Sequence, residues 1–293
     1  MPARYRVATF LFLTTSVVLA RSAVAQQTPL PPSTSAARML ILPRQIVSGE
    51  RATLAVLDVN GRLTPGVKVN FSNGDRLTTD ATGRALFVAP LEPGVIFASI
   101  AGRAGRVPTT ILNPKEAATA SIEISAAPQV ATLTDRFEVS GRGFCGDADA
   151  NQITVDGQPA LVLASSPTSL VVLPPAELQT GAAVVEISCA KNTAQAFQTT
   201  FVALELEADS SPLKPGEHRA LAVRVRGTSG KIILEARNLA PEIAELTGGT
   251  AVKQASSGGP KNFAQFEVVG RKNGSFLISI RLAPQLSRPR SNP

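Results

Sequence analysis

The stretch Val67-Lys68-Val69-Asn70-Phe71-Ser72 alternates strictly, with Val67, Val69 and Phe71 on one face and Lys68, Asn70 and Ser72 on the other. A period of two marks a β-strand half buried on one side. The same reading returns along the chain. Phe137 and Val139 alternate with Arg136, Glu138 and Ser140. Leu221, Val223 and Val225 alternate with Ala220, Ala222, Arg224 and Arg226. Phe276, Ile278, Ile280 and Leu282 alternate with Ser275, Leu277, Ser279 and Arg281. Gly, Pro, Asn or Asp closes each run, which is the punctuation of short strands joined by turns. The best helical stretch is only Lys115 to Ala120, directly after Pro114. The chain is therefore expected to be all-β, built from packed sheets.

Composition narrows the chemistry. The 293 residues include 22 Gly, 22 Pro, two Cys, one His, no Trp and one Tyr. A metal site made from several His or Cys has no ligands to draw on. At 44% hydrophobic and 17% charged, the chain has the make-up of an ordered globular protein. The leader reads as a cleaved signal peptide over residues 1–25. Arg4 and Arg6 precede an apolar stretch from Val7 to Ala20, and Ala23-Val24-Ala25 gives a small-x-small cleavage site before Gln26. The apolar run is shorter than the roughly 20 residues of a membrane span, and Arg21 ends it. No stable membrane span is expected in the mature chain. Residues 26–36 form a linker whose Thr28–Ala36 run, TPLPPSTSA, cannot build a core.

Charge alternates in sign along the mature chain. Residues 37–113 carry nine basic and five acidic groups, residues 114–203 four and nine, and residues 204–283 eleven and eight. Such alternation argues against one continuous basic face and hence against nucleic acid as a partner. The breaks at Asn113-Pro114 and around Ala203, and the polar tail from Pro284, divide the chain into units at 37–113, 114–203 and 204–283 with a disordered tail at 284–293. Each unit has the size of an immunoglobulin-like sandwich.

Two units carry motif words. Val56-x-Asp58-x-Asn60-Gly61, Pro65-Gly66-Val67-x-Val69-x-Phe71, Thr79-Asp80-Ala81-Thr82-Gly83 and Pro93-Gly94 fall in order within residues 51–112, a segment that resembles the bacterial immunoglobulin-like domains of invasin-type surface proteins. Residues 119–203 are similar to the IPT/TIG domain. The match runs from Ile122-x-Ile124 through Phe137-x-Val139-x-Gly141-x-Gly143-Phe144 and Asn151-x-Ile153-x-Val155-Asp156-Gly157 to Gly181, Val185, Ile187 and Phe201. The third unit is read as another immunoglobulin-like sandwich from its strands and its glycine turns. The expected architecture is a tandem array of three immunoglobulin-like β-sandwiches after a cleaved signal peptide.

Few residues invite chemistry. Cys145 and Cys189 are an even pair within one exported unit, so a disulfide that stabilises that unit is expected, with two buried thiols as the alternative. Asp147, Asp149 and Asn151 have the spacing of the first three oxygens of a calcium loop. Gln152 and Gln158 stand where the glycine and closing glutamate should be, so a solvated turn is the competing reading. His218 is read as a surface residue beside Arg224 and Arg226. Gly227-Thr-Ser-Gly230-Lys231 is read as a hairpin turn, since Ile232 follows it where a phosphate loop needs Ser or Thr. Catalytic residues, cofactors and a firm metal site are not expected. The functional expectation is a non-catalytic protein, periplasmic, extracellular or at the cell surface, acting in adhesion, scaffolding or protein-protein binding. The partner would be another envelope or extracellular protein, or a polysaccharide. The alternatives are a carbohydrate-binding accessory protein, or a hydrolase with an unrecognised site. Recognition is expected on loops such as Asp147 to Gln152 and Ser256 to Asn262, or on strand edges.

Overall fold

A computed structural model describes residues 38–114, 121–190, 192–207, 211–256, 262–283 and 286–287. The leader, the linker, the helical stretch at 115–120 and the middle of the Ser256–Asn262 loop lie outside the described residues. Within them the chain is all-β.

The first sandwich packs two sheets. One holds β1 (Arg38–Ile41), β3 (Arg51–Asp58) and β6 (Arg84–Val88). The other runs in the order β2 (Gln45–Val47), β8 (Val107–Leu112), β7 (Gly94–Ile100), β4 (Lys68–Phe71) and β5 (Arg76–Thr78). Leu40, Leu54, Val56, Val67, Val69, Phe71, Ala98 and Ile100 fill the space between them. The Val67–Phe71 alternation thus does what its period requires. Asp58 Oδ1 accepts the N–H groups of Asn60 and Arg62, so the predicted turn there is held by its own aspartate. Asp80 does the same for the Asp80–Gly83 turn through Thr82. Gly83 has φ +76°, and an added Cβ would lie 2.5 Å from the Thr64 nitrogen, so only glycine fits.

The second sandwich sets β9 (Glu123–Pro128), β11 (Phe137–Arg142), β14 (Leu161–Ser166) and β15 (Ser169–Leu173) against a second sheet. That sheet contains β10 (Val130–Thr132), β12 (Asn151–Val155), β13 (Gln158–Pro159), β16 (Gly181–Cys189), β17 (Asn192–Thr193) and the first half of β18 (Phe197–Glu207). Its core includes Phe137, Val139, Ile153, Val155, Leu170, Val172, Val185, Ile187 and Phe201. The Phe137 and Phe201 rings meet edge to face at 5.8 Å.

β18 does not stop at the second sandwich. Its residues 197–201 pair with β16, and residues 203–207 pair with β19 (His218–Arg226). The boundary expected at Ala203 therefore falls inside one unbroken strand. The third sandwich continues from it. One sheet holds β18, β19, β23 (Phe263–Gly270) and β21 (Ala244–Leu246). The other holds β22 (Ala251–Ala255), β20 (Ile233–Asn238) and β24 (Ile278–Leu282). The strand expected from Ser275 begins only at Ile278, and Phe276 is exposed. The reason lies in the partner: β20 ends at Asn238 and Pro241 follows, leaving nothing beyond the Leu239–Leu277 bond for Phe276 to pair with. Leu286 and Ser287, in the segment expected to be a disordered tail, add to β9 as β25. They do so because β9 otherwise leaves that edge of its sheet open.

The first two sandwiches are also joined. Thr53 on β3 pairs with Ser165 on β14, which merges one sheet of each. In β3, Leu54 and Val56 face the first core, while Ala55 and Leu57 turn the other way and pack with Ile41, Leu163, Ala164 and Val171. Both faces of β3, β14 and β15 are consequently buried, and their sequences read as continuous apolar or small runs instead of alternating ones. Polar groups in this seam are hydrogen-bonded, mostly across it. Thr53 Oγ1 and Ser165 Oγ donate to the Gly146 carbonyl at 2.9 and 2.7 Å, and Ser166 and Thr168 donate to the Gln45 carbonyl.

Candidate functional site

A concavity lies where the three sandwiches meet. It has a volume of about 720 Å³, within the range of roughly 300–1,000 Å³ typical of ligand sites. The first sandwich contributes Arg44 and Thr110, the second Arg136 and Glu138, and the third Leu204 and Arg281. The fold places each for a local reason. Arg44 follows Pro43 in the link between β1 and β2, and the Pro43 carbonyl is fixed by the Thr109 hydroxyl at 2.7 Å. Arg136 and Asp135 sit on the turn before β11, where Thr132 Oγ1 accepts the Asp135 N–H. Arg281 projects from the outer face of β24, since Ile280 and Leu282 point into the third core.

Glu138 carries the site's electrostatics. It occupies the outward face of β11, opposite Val171, and the first sandwich packs over that face. Its side chain is only 16% exposed and meets Arg44 Nε at 2.7 Å, while Arg44 itself remains 63% exposed. The Ser169 hydroxyl donates to the other carboxylate oxygen at 3.1 Å. Burial pushes the Glu138 carboxyl above the ordinary glutamate value, and Arg44, Ser169 and Arg136 pull it back only in part. Nearby, Arg136 pairs with Asp135 at 3.2 Å. Arg281 approaches Glu235 at 3.5 Å, a carboxylate already bonded to Arg237 at 2.7 Å. The bond from Arg237, with the charge of Arg281 behind it, holds Glu235 below its ordinary value. The arrangement can accept a partly extended ligand with polar and apolar ends, and it offers cationic groups that retain exposed surface.

Cys145 and Cys189 are disulfide-bonded, with Cα atoms 5.8 Å apart. The bridge ties the end of β16 to the loop that follows β11. Asp147, Asp149 and Asn151 lie on that loop, and their oxygens have other partners. Asp147 accepts the Asp149 N–H and caps a single 3-10 turn at Ala148–Ala150. Asp149 binds Arg84 of the first sandwich at 2.7 Å. Asn151 is buried and bonds the backbone of Cys145 and Asp147. The loop expected to serve recognition also forms part of the joint, with Ala148 buried and its N–H bonded to Thr53.

His218 lies in a second groove, on the third sandwich. Its Nδ1 is 2.9 Å from Glu267 Oε1, and the Thr247 hydroxyl donates to Glu267 Oε2 at 3.1 Å. These bonds, that of His218 first, hold Glu267 below the ordinary range. Both partners address the carboxylate, so the hydroxyl is not in line with the imidazole as nucleophile activation requires. Arg224 and Arg226 are paired with Glu207 and Glu205 at 2.7 and 2.8 Å. Arg224 also covers the Phe263 ring at 5.0 Å.

Sequence reasoning passed over Arg44, Glu138 and Arg281. A signal was present for the seam beneath them. The runs Thr53–Leu57, Leu161–Ser166 and Ser169–Leu173 lack the alternation of a strand with one wet face.

No protein-family model matches the sequence, and no curated protein matches it. Among solved structures the chain is similar to SGBP-B of the Bacteroides ovatus mixed-linkage glucan utilization locus, solved in complex with a mixed-linkage heptasaccharide. The identity is 13% and the TM-score 0.35, over 82% of this chain and 73% of that one. It is also similar to the surface layer protein SbsC, domains 1–6, at 14% identity and TM-score 0.20, over 87% of this chain and 39% of that one. The plexin A4 extracellular region gives 9% identity and TM-score 0.31, over 89% and 34%. The chain thus spans little more than a third of the S-layer and plexin chains.

Proposed function

We propose that this chain is an exported, non-catalytic binding protein of the cell envelope, with residues 51–112 an invasin-type and residues 119–203 an IPT/TIG-like module. Its ligand surface is the cleft between the three sandwiches. The observation that carries this reading is the Glu138–Arg44 pair, half sequestered in a concavity whose walls come from three separate units held by a shared strand and a buried seam. Such a preformed site loses little freedom on binding. The disulfide supports export, because such bonds persist in oxidising compartments.

The test compares the mature chain with Thr110→Trp, which fills the cleft from a partly exposed position on β8. Each is immobilised and exposed to solubilised envelope protein and, separately, to envelope polysaccharide. A ligand held at least tenfold more weakly by the variant is the expected result. Equal retention by both proteins would overturn the reading. Retention from the polysaccharide fraction alone would replace a protein partner by a glycan.

A further inference from the structure

β24 borders the cleft through Ile280, Arg281 and Leu282, and it is an edge strand. The Ala283 N–H donates to the Ile233 carbonyl and the Leu239 N–H to the Leu277 carbonyl. With the register Glu235↔Arg281 and Arg237↔Ser279, these bonds show that the odd-numbered residues of β24 exchange hydrogen bonds with β20. In an antiparallel pair the residues between them point their N–H and C=O groups the other way. The backbones of Ile278, Ile280 and Leu282 thus face away from β20, and among the described residues no strand pairs there.

The side chains beside this open edge are arranged to suit another strand. Ile280 and Leu282 turn into the third sandwich, and with Leu204 and Val130 they form an apolar slot that opens on the cleft. Arg281 turns outward. The cleft lining holds three guanidiniums, of Arg44, Arg136 and Arg281, against two carboxylates, of Asp135 and Glu138. The molecule already closes one open edge beside the cleft in this way. β25 pairs Leu286 with Pro128 on β9, and Pro128 is itself a lining residue.

We propose that the cleft receives an extended strand of a partner protein, which pairs with the open edge of β24, sets apolar side chains opposite Ile280 and Leu282, and sets an acidic one opposite Arg281. This rests on the cleft being the ligand surface and names its partner class. Main-chain bonds would supply affinity, and the alternating side chains specificity. Residues directly opposite across a strand pair share a face, so an acid opposite Arg281 meets the guanidinium while its neighbours enter the slot.

The probe is a synthetic decapeptide of alternating valine and glutamate, added to the mature full-length chain. Binding is followed by fluorescence anisotropy and backbone amide exchange. The expected result is saturable binding that slows exchange of the Ile280 and Leu282 amides at least tenfold. A fully N-methylated peptide should not bind. Ile280→Pro, which removes a donor only from the open edge, should abolish binding. Should that variant fail to fold, Arg281→Glu serves in its place. It should weaken the glutamate peptide several-fold and favour a valine–lysine peptide instead. Ile280 and Leu282 amides already protected in the free protein would overturn the inference, because a segment of this chain would then cover the edge. So would peptide binding that leaves those amides unchanged. Thr110-sensitive retention of an envelope ligand together with either outcome leaves the cleft as the ligand surface and removes strand addition alone. Loss of Thr110-sensitive retention removes both.

Discussion

Glu138 occupies a strand position where a carboxylate ordinarily faces water, and the first sandwich covers it. Its folded pKa is raised by that burial, so the native state holds the proton more tightly than the unfolded chain does. The stability this contributes is fully present below the ordinary glutamate pKa and is lost as pH rises through the raised folded value. Urea denaturation of the wild type and Glu138→Gln, at intervals from pH 4 to 7, should show the wild-type advantage shrinking with rising pH. Asp58, Asp80, Glu217, Glu235 and Glu267, which are lowered and act in the opposite direction, are common to both proteins and cancel. An advantage that grows with pH would refute the burial argument. Arg84 gives a second test. It is buried and donates to the Val162 carbonyl of the second sandwich at 3.2 Å. Arg84→Ala leaves that buried acceptor without its partner and should cost about 1–3 kcal/mol. Asp149, a further partner of Arg84 beside Val162 and Thr82, is 72% exposed, and Asp149→Ala should cost less than about 1 kcal/mol. Equal losses would place the energy in the ion pair and not in the buried carbonyl bond.

At the scale of elements, the loop from Cys145 to Asn151 joins three constraints. The disulfide fixes one end, Asn151 bonds the backbone within it, and Gly146 touches the first sandwich. An added Cβ on Gly146 would lie 1.9 Å from the Arg51 carbonyl oxygen. Gly146→Ala should therefore push the loop off the joint and cost about 1–3 kcal/mol, the range for overpacking. The 44-residue separation of the cysteines corresponds to about 4 kcal/mol of chain entropy. From sequence alone that stabilisation is assigned to the middle unit. The contacts of the loop extend it, since Ala148 N–H bonds Thr53 of the first sandwich. Cys145→Ser with Cys189→Ser should speed amide exchange at Ala148, whose acceptor lies across the seam. Unchanged exchange there would confine the effect to the middle sandwich.

For the whole molecule, the shared strand and the seam make the sandwiches interdependent. Leu163 is fully buried between the first two. Leu163→Ala should cost about 2–5 kcal/mol and lower the protection of β3 and β15 together, although it leaves the three central cores intact. Calorimetry of the mature chain should give one transition with equal calorimetric and van't Hoff enthalpies. Three separable transitions would mean that β18 and the seam do not couple their neighbours.

Strand faces could be read without the fold, because a period of two forces successive side chains to alternate, and the turns at Asp58–Arg62 and Asp80–Gly83 follow from local aspartate–backbone bonds. An all-β class therefore lay in the residues themselves, and so did the pairing of two lone cysteines. What the sequence could not decide were relations across long separations. Whether Ala203 ends a strand depends on β16 and β19 both finding room along one backbone. Whether Glu138 is wet depends on a sandwich that begins far upstream of it. The cleft and the open edge of β24 exist only once three units are packed, because a concavity between bodies and an unpaired backbone are properties of neighbours, and alternation specifies a face without specifying what will cover it.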